Sequence, residues 1–101
     1  MAKGYALGMI EAIGITAAAA ALDASLKAAD VKCVGVEKVI GVDKMISVTI
    51  NIVGEVAAVQ AGVESGVEAA QKVGKVAAHH VMARPHEEIE LLINQFYKHK
   101  L

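Results

Sequence analysis

The chain of 101 residues has few aromatic side chains: two tyrosines, one phenylalanine and no tryptophan. A surface that stacks nucleic-acid bases on aromatic rings therefore has almost no residues from which to form. The formal net charge is −1, so the strongly basic balance that accompanies binding to phosphates is also absent. Together these shortages argue against nucleic acid or an anionic membrane surface as the partner.

The chain also has little cysteine and no long apolar run. Cys33 is the single cysteine, so no intrachain disulfide can form and an oxidising compartment is not indicated. The longest nearly uninterrupted apolar run, residues 12–22, is shorter than the roughly 20 residues that a membrane helix needs. No secretory signal pattern is expected, because a strand-like run follows Lys3 directly. The expected location is the cytosol.

Small apolar residues, by contrast, are abundant. Hydrophobic residues make up 55% of the chain before its nine glycines are counted, whereas about 45–50% is usual with glycine included. A single domain of this size cannot bury all of that apolar surface in one small core. The surplus predicts contact between copies of the chain.

The central feature of the sequence is a predicted hairpin over residues 31–54, with its tip within residues 40–44. In the second strand, Ile46, Val48, Ile50 and Ile52 alternate with polar residues, which indicates a strand with one buried face. Gly41 and Asp43 provide residues that favour turns between two β-branched runs.

The flanking segments predict two strand–helix units. Residues 5–13 alternate as a strand with a small-residue side that would let a helix approach closely, and residues 16–29 read as a helix with Thr16 as its N-cap. Its predicted apolar stripe contains Ile15, Ala18, Ala19, Leu22, Leu26 and Ala29.

After the hairpin, residues 55–73 predict a second helix with a valine-rich stripe from Val56 to Val73, and residues 75–83 a fourth strand. Gly62 and Gly66 would each cost a helix about 1 kcal/mol relative to alanine, so they predict close packing. Pro85 predicts the start of a C-terminal helix. The order β-α-β-β-α-β indicates an α+β, ferredoxin-like fold: a four-stranded antiparallel sheet with two helices on one face, plus the terminal helix.

The sequence offers little basis for catalysis or metal binding. His79 and His80 are neighbours on a strand and point to opposite faces, so they cannot chelate one metal together, and His86 and His99 complete no ligand set. No nucleophile, phosphate loop or paired carboxylates support acid–base chemistry. We therefore expect no enzyme, no metal and no cofactor, with Cys33 as a small buried hydrophobe.

Several short motifs, in order, resemble the hexameric shell proteins of bacterial microcompartments, the BMC-domain family. The resemblance covers roughly residues 5–93 of one domain and leaves residues 94–101 as a tail. The motifs are Ala6–Glu11, Asp23-Ala24 with Lys27, Val34-Gly35 with Glu37-Lys38, Gly54-Glu55-Val56, and His80–His86.

The resemblance implies six-fold rings that tile edge to edge into the flat facets of a shell around enzymes. By that resemblance, Lys27 lies along the hexamer edge opposite its twin, and Arg84 reaches across to the neighbouring hexamer. Asp30 falls at an edge position near Lys27 and would add a carboxylate there. Facing lysines repel, so their ammonium groups must find carbonyl or carboxylate oxygens.

The hairpin tip corresponds to the loop that lines the family's central pore, and here the sequence departs from the family pattern. The tip is about four residues longer than the short glycine- and serine-rich tips typical of the family. We predict a bulkier, more apolar pore lip, in which Asp43 and Lys44 are the only charges. The alternative is that the extra residues extend the hairpin out of the plane and leave the bore unchanged. The predicted lining residues are Val39, Ile40, Gly41, Val42, Asp43 and Lys44.

The resemblance thus implies a structural tile in a microcompartment shell within the cytoplasm, whose central pore passes small polar metabolites. Its expected partners are further copies of itself, other shell proteins, vertex pentamers, and helical tails of encapsulated enzymes. The alternative is a trimeric ferredoxin-like module that binds or senses a ligand.

Overall fold

A computed structural model describes residues 5–41, 45–89 and 91–92. The predicted order of elements is confirmed. The elements are strand β1 (Ala6–Ile13), helix α1 (Ile15–Ala28), strand β2 (Lys32–Ile40), strand β3 (Ile46–Gly54), helix α2 (Val56–Val73) and strand β4 (Lys75–Met82).

The four strands form one antiparallel sheet in the order β2-β3-β1-β4. This is the ferredoxin-like arrangement that the order of elements predicts. The two central strands supply most of the buried side chains, whereas β2 and β4 form the edges. Both helices pack on one face, over a core that consists mainly of alanine, valine and isoleucine.

The predicted apolar faces of β1 and β3 are confirmed on the helix side, but β3 does not have a single buried face, because Asn51 and Val53 on its opposite side are also buried. Val48, Ile50 and Ile52 are buried on the helix side of β3. On β1, Gly8 lies directly under α2, because an added Cβ would come within 2.7 Å of Val59 Cγ1 and Val63 Cγ2. The small-residue side of β1 therefore receives a helix, as expected.

The start and the buried face of α1 differ from the prediction. The helix begins at Ile15 after Gly14, whose φ of 93° favours glycine, so Thr16 is not the N-cap. Ile15 and Leu26 of the predicted stripe are exposed. Ala18 of that stripe is buried and Leu22 packs against the core, as predicted, whereas the other buried residues of α1 are Ala17, Ala21 and Ser25.

The reason is a close approach between α1 and α2, at a contact that we call the helix seam: Ser25, Gly62 and Gly66. The Ser25 hydroxyl donates a hydrogen bond of 2.7 Å to the Gly62 carbonyl oxygen. A Cβ on Gly66 would lie 2.5 Å from Ser25 Oγ and 2.7 Å from Ile10 Cδ1. The predicted close packing of the α2 glycines is confirmed, and it leaves room only for small residues on α1.

Helix α2 follows its predicted stripe in the middle and departs from it at both ends. Val59, Val63 and Ala70 are buried, whereas Val56 and Val73 are exposed. Gly74 ends the helix, and its backbone N–H donates to the Ala70 carbonyl oxygen, as predicted for a C-terminal cap. Neither α2 nor any other helix of the described residues combines the length and hydropathy that a membrane crossing requires.

A smaller cluster lies apart from the main core and contains Leu7, Val34 and Val53, with Met9, Met82 and Ile89 packed against it. Cys33 is only half-buried, so its expected full burial is wrong. Beyond β4, the backbone is helical at Ile89 and at residues 91–92, after Pro85 rather than from it. The C-terminal helix stays a prediction, since residue 90 and residues 93–101 lie outside the described residues.

Candidate functional site

The β2–β3 hairpin keeps its strand pairing almost to the tip. The ladder runs from Lys32 opposite Val53 to Ile40 opposite Ile46, and the Gly41 N–H then donates a bond of 2.7 Å to the Met45 carbonyl oxygen. The hairpin is therefore paired strand rather than loose loop up to this point. Of the predicted pore residues, Val42, Asp43 and Lys44 lie outside the described residues.

Large apolar side chains at this end of the hairpin are exposed in the single chain. Ile40 is 68% exposed and Val39 is 49% exposed, and Gly41 and Met45 are exposed beside them. We call Val39, Ile40, Gly41 and Met45 the hairpin end. Exposure of several apolar residues at one place favours contact with other chains.

Lys27 lies in the last turn of α1, where a cation interacts favourably with the helix dipole. Its Nζ is 2.9 Å from Asp23 Oδ2, and the two side chains are 77% and 62% exposed. An exposed pair at this i,i+4 spacing contributes only about 0.3–0.5 kcal/mol to folding. Lys27 is therefore free to exchange its partner when another surface approaches.

Asp30 is exposed in the turn between α1 and β2, and it lines a depression of about 350 Å³. The lining mixes carboxylates with a lysine and a tyrosine hydroxyl, so it offers both donors and acceptors. It comprises Tyr5, Asp30, Val31, Lys32, Val53, Gly54, Glu55 and Ala58.

Arg84 is exposed just beyond the end of β4. Strand β4 ends with Met82 opposite Leu7, and β3 ends with Gly54 opposite Ala6, so both strands end beside the start of β1. Tyr5, which lines the depression, comes just before β1. Arg84 therefore follows β4 at the same end of the sheet as the Asp30 depression. Lys27 belongs to that end too, because α1 finishes where β2 begins.

The predicted site residues thus divide between two opposite ends of the sheet. Lys27, Asp30 and Arg84 lie at the end where β2 begins and β3 finishes. The hairpin end lies at the other, where Gly14 N–H donates to the Ile46 carbonyl oxygen. The sheet separates a charged end, with Lys27, Asp30 and Arg84, from the exposed apolar side chains of the hairpin end.

A further groove, which the sequence did not predict, lies between α2 and β4. It encloses about 380 Å³ and is lined by Gln60, Val63, Glu64, Val67, His79 and Val81. His79 reaches it because it pairs with Ile10 on the helix side of the sheet, whereas His80 pairs with Met9 on the other side. The two histidines therefore point to opposite faces, as predicted.

Two contacts of the predicted site residues were not predicted from the sequence. Asp23 was part of a motif, but its pairing with Lys27 was not predicted, although the i,i+4 spacing indicates it. Glu55 joins Asp30 only because β3 ends beside the turn after α1. No spacing rule in the sequence predicts that second contact.

Comparison with known proteins supports the resemblance. Residues 6–85 match the BMC domain. The chain is 46% identical over 90 residues to the carboxysome shell protein CcmK2 of Synechococcus elongatus, covering 87% of this chain and 84% of that protein. It is 47% identical over 88 residues to the bacterial microcompartment shell protein PduA of Salmonella typhimurium, covering 87% and 89%.

A solved microcompartment protein from Desulfitobacterium hafniense has the same fold, with a TM-score of 0.75 and 27% sequence identity. The alignment covers 99% of this chain and 52% of that one, so this chain spans about half the length of that protein. The family match, the two relatives and the fold agree with the motifs found in the sequence. The chain therefore belongs to the BMC-domain family of bacterial microcompartment shell proteins.

Proposed function

We propose that this protein is a structural tile of a bacterial microcompartment shell, located in that shell within the cytoplasm. It forms cyclic hexamers that associate edge to edge into facets, and a central pore at the six-fold axis passes small polar metabolites. The names of the relatives, which are shell proteins and not enzymes, support the structural role.

The observation that carries the hexamer and its pore is the separation of the two ends of the sheet. A ring needs one surface that gathers around the axis and another that faces outward. The exposed hairpin end suits the axis because apolar side chains from several copies can cover one another. The charged end, with Lys27, Asp30 and Arg84, suits the outer edge because polar rims remain stable in water before assembly.

The pore follows from the hairpin end. Six copies would place six Val39 and six Ile40 side chains near the axis, so any charge in the tip acts sixfold on a passing solute. Asp43 and Lys44 are the charges that the sequence places there. The resulting filter is passive and selects by size and charge.

The edge contact follows from the charged end. Lys27 and its counterpart in the next hexamer repel one another, so Asp30 and backbone carbonyl oxygens accept their hydrogen bonds. Arg84 donates across the same boundary. The proposed partners are thus further hexamers, other shell proteins, vertex pentamers, and helical tails of enclosed enzymes.

Light scattering after size exclusion tests this proposal. We expect a mass near six times the 10.5 kDa of the chain, and flat sheets or tubes in electron micrographs of concentrated protein. A monomer at every workable concentration would contradict the proposal. A stable trimer that binds a metabolite would favour a ligand-binding module instead.

A further inference from the structure

The sheet has a second face, on the side away from the helices, which we call the far face. Ile10 and Ile50 point to the helices, so the alternate positions of β1 and β3 point to the far face. Where β1 begins, this face is apolar and carries the smaller cluster, Leu7, Val34 and Val53. Ile89, from the chain beyond β4, packs against that cluster. The segment after β4 therefore reaches the far face.

Further along the strands, the far face becomes polar. Glu11 and Glu37 pair with Thr49 from its two sides, so the three residues form one row across β1, β3 and β2, which we call the glutamate row. Both glutamates are half-buried. In the part of the chain that the structure describes, the ion pairs lie within α1 and α2, so neither carboxylate has a cationic partner there. The glutamate row thus offers two negative charges to a cation.

Asn51 lies on the far face of β3 between the apolar cluster and the glutamate row. It is only 1% exposed, and its side-chain nitrogen has no hydrogen-bond partner among the described residues. Buried N–H groups normally have an acceptor, from the protein or from water. The orphaned amide therefore indicates that a further segment completes this part of the far face.

The segment that follows Ile89 has a spacing that suits the far face. If the chain continues as a helix, three residues recur at intervals of four, three and four and share the side of Ile89: Ile93, Phe96 and Lys100. The described turn agrees with this orientation, because Leu91 would point away from the sheet and is 69% exposed, whereas Leu92 is 52% exposed. The stripe is apolar at its start and ends in a cation.

The distances along the sheet and along such a helix agree. The glutamate row lies four residues from Val53 along β3, or about 13 Å. Lys100 lies eleven residues beyond Ile89, or about 16 Å along a helix, and its side chain would lean back toward the helix N-terminus. Lys98, nine residues beyond Ile89, would lie about two and a half turns away and so point to the opposite side.

We propose that residues 93–101 cover the far face as a helix and that Lys100 binds the glutamate row, with its ammonium group between the carboxylates of Glu11 and Glu37. The segment is then held at its start by Ile89 and at its end by an ion pair. While it is bound, the apolar cluster and the two carboxylates are unavailable to another protein. Salt weakens the ion pair and makes them available again.

Carbodiimide coupling tests the contact on the unmodified chain, since it joins an ammonium group to a carboxylate where the two touch. After proteolytic digestion and mass spectrometry, we expect peptides that link Lys100 to Glu11 or Glu37 in material that runs as one chain on a denaturing gel. Lys98 is the internal control and should give few links. Absence of the Lys100 link, an equal yield from Lys98, or a link that joins two chains would overturn the proposal.

Limited proteolysis with chymotrypsin tests the ion pair, because Phe96 and Tyr97 are cleaved only when the segment is released. Lys100→Glu should raise the initial rate of cleavage about two- to fivefold, as expected for the loss of one exposed ion pair. The matched control Lys98→Glu should leave the rate unchanged. Adding Glu11→Lys to Lys100→Glu should lower the rate again.

Equal rates for the two single variants, or no recovery in the double variant, would overturn the ion pair. These outcomes are independent of the proposed function, because both tests report a contact within one chain. A hexamer without the Lys100 link overturns this inference alone, whereas a monomer that carries the link contradicts the proposed ring alone.

Discussion

The helix seam and the hairpin end use residues in opposite ways. The seam contains the smallest side chains and is fully buried, with a hydroxyl that donates to a carbonyl oxygen across it. The hairpin end contains large apolar side chains and leaves them exposed. The difference indicates that the contact between the two helices depends on small residues, whereas the large apolar residues of the hairpin end remain available for contact with other chains. Four changes can test this contrast, arranged by decreasing effect on the free energy of unfolding.

Gly66→Ala should produce the largest loss of stability. The new methyl group would meet Ile10 and the Ala21 carbonyl oxygen at 2.7 and 2.9 Å, and overpacking of this kind costs about 1–3 kcal/mol. Gly62→Ala is the matched control, because its methyl group would meet the flexible end of Ile52 at 3.1 Å and otherwise only atoms at ordinary contact distances of 3.6 Å or more. Both changes gain the same helix propensity, so the difference between them reports packing alone.

Denaturant unfolding at a fixed chain concentration measures that difference, since assembly contributes to the apparent stability. Equal stability of the two variants would show that the helix seam tolerates a methyl group and that the contrast is wrong.

Ser25→Ala should have a smaller effect on the same measurement. It removes the hydrogen bond of 2.7 Å to the Gly62 carbonyl oxygen, and a typical hydrogen bond contributes about 0.5–1.5 kcal/mol. Ser65→Ala, at a half-buried serine of α2, serves as the control. If the control loses as much stability as Ser25→Ala, the bond across the seam is unimportant.

Lys27→Ala should change folding by only about 0.3–0.5 kcal/mol, because its pair with Asp23 is exposed. Its larger effect should be on assembly: hexamers persist, whereas sheets in electron micrographs disappear, and Arg84→Ala should behave in the same way. Loss of the hexamer itself would show that Lys27 and Arg84 lie at contacts within the hexamer and not at contacts between hexamers.

Ile40→Asp should have the smallest effect on folding, since the side chain is 68% exposed and such changes usually stay within about 0.5 kcal/mol. In the ring, however, it places six carboxylates near the axis. We expect the hexamer to weaken at low salt and to recover at high salt, as light scattering would show. The control is Val56→Asp, at an exposed valine in the first turn of α2, and it should leave the hexamer unchanged. If Val56→Asp and Ile40→Asp weaken the hexamer equally, Ile40 does not lie near the axis.

Much of the fold could be predicted because its signals are local. The alternation from Ile46 to Ile52 predicts a strand, and Gly14 and Gly74 mark where elements end. The motifs also led to the family that the comparisons show. The sequence predicted individual site residues but neither the Asp30 depression nor the α2–β4 groove, because both depend on contacts between segments that are distant in the sequence.

The sequence by itself determined the order of the elements, the length of the hairpin and the surplus of apolar residues, because these depend on spacing and composition alone. Only the tertiary structure decided which side of α1 is buried. Hydropathy favours the burial of Ile15 and Leu26, yet both are exposed. Gly62 and Gly66 bring α2 so close to α1 that only alanine and serine fit between the helices. The distance between the two packed helices, which no single segment encodes, therefore decides which residues of α1 are buried, and the hydrophobic pattern of α1 alone does not.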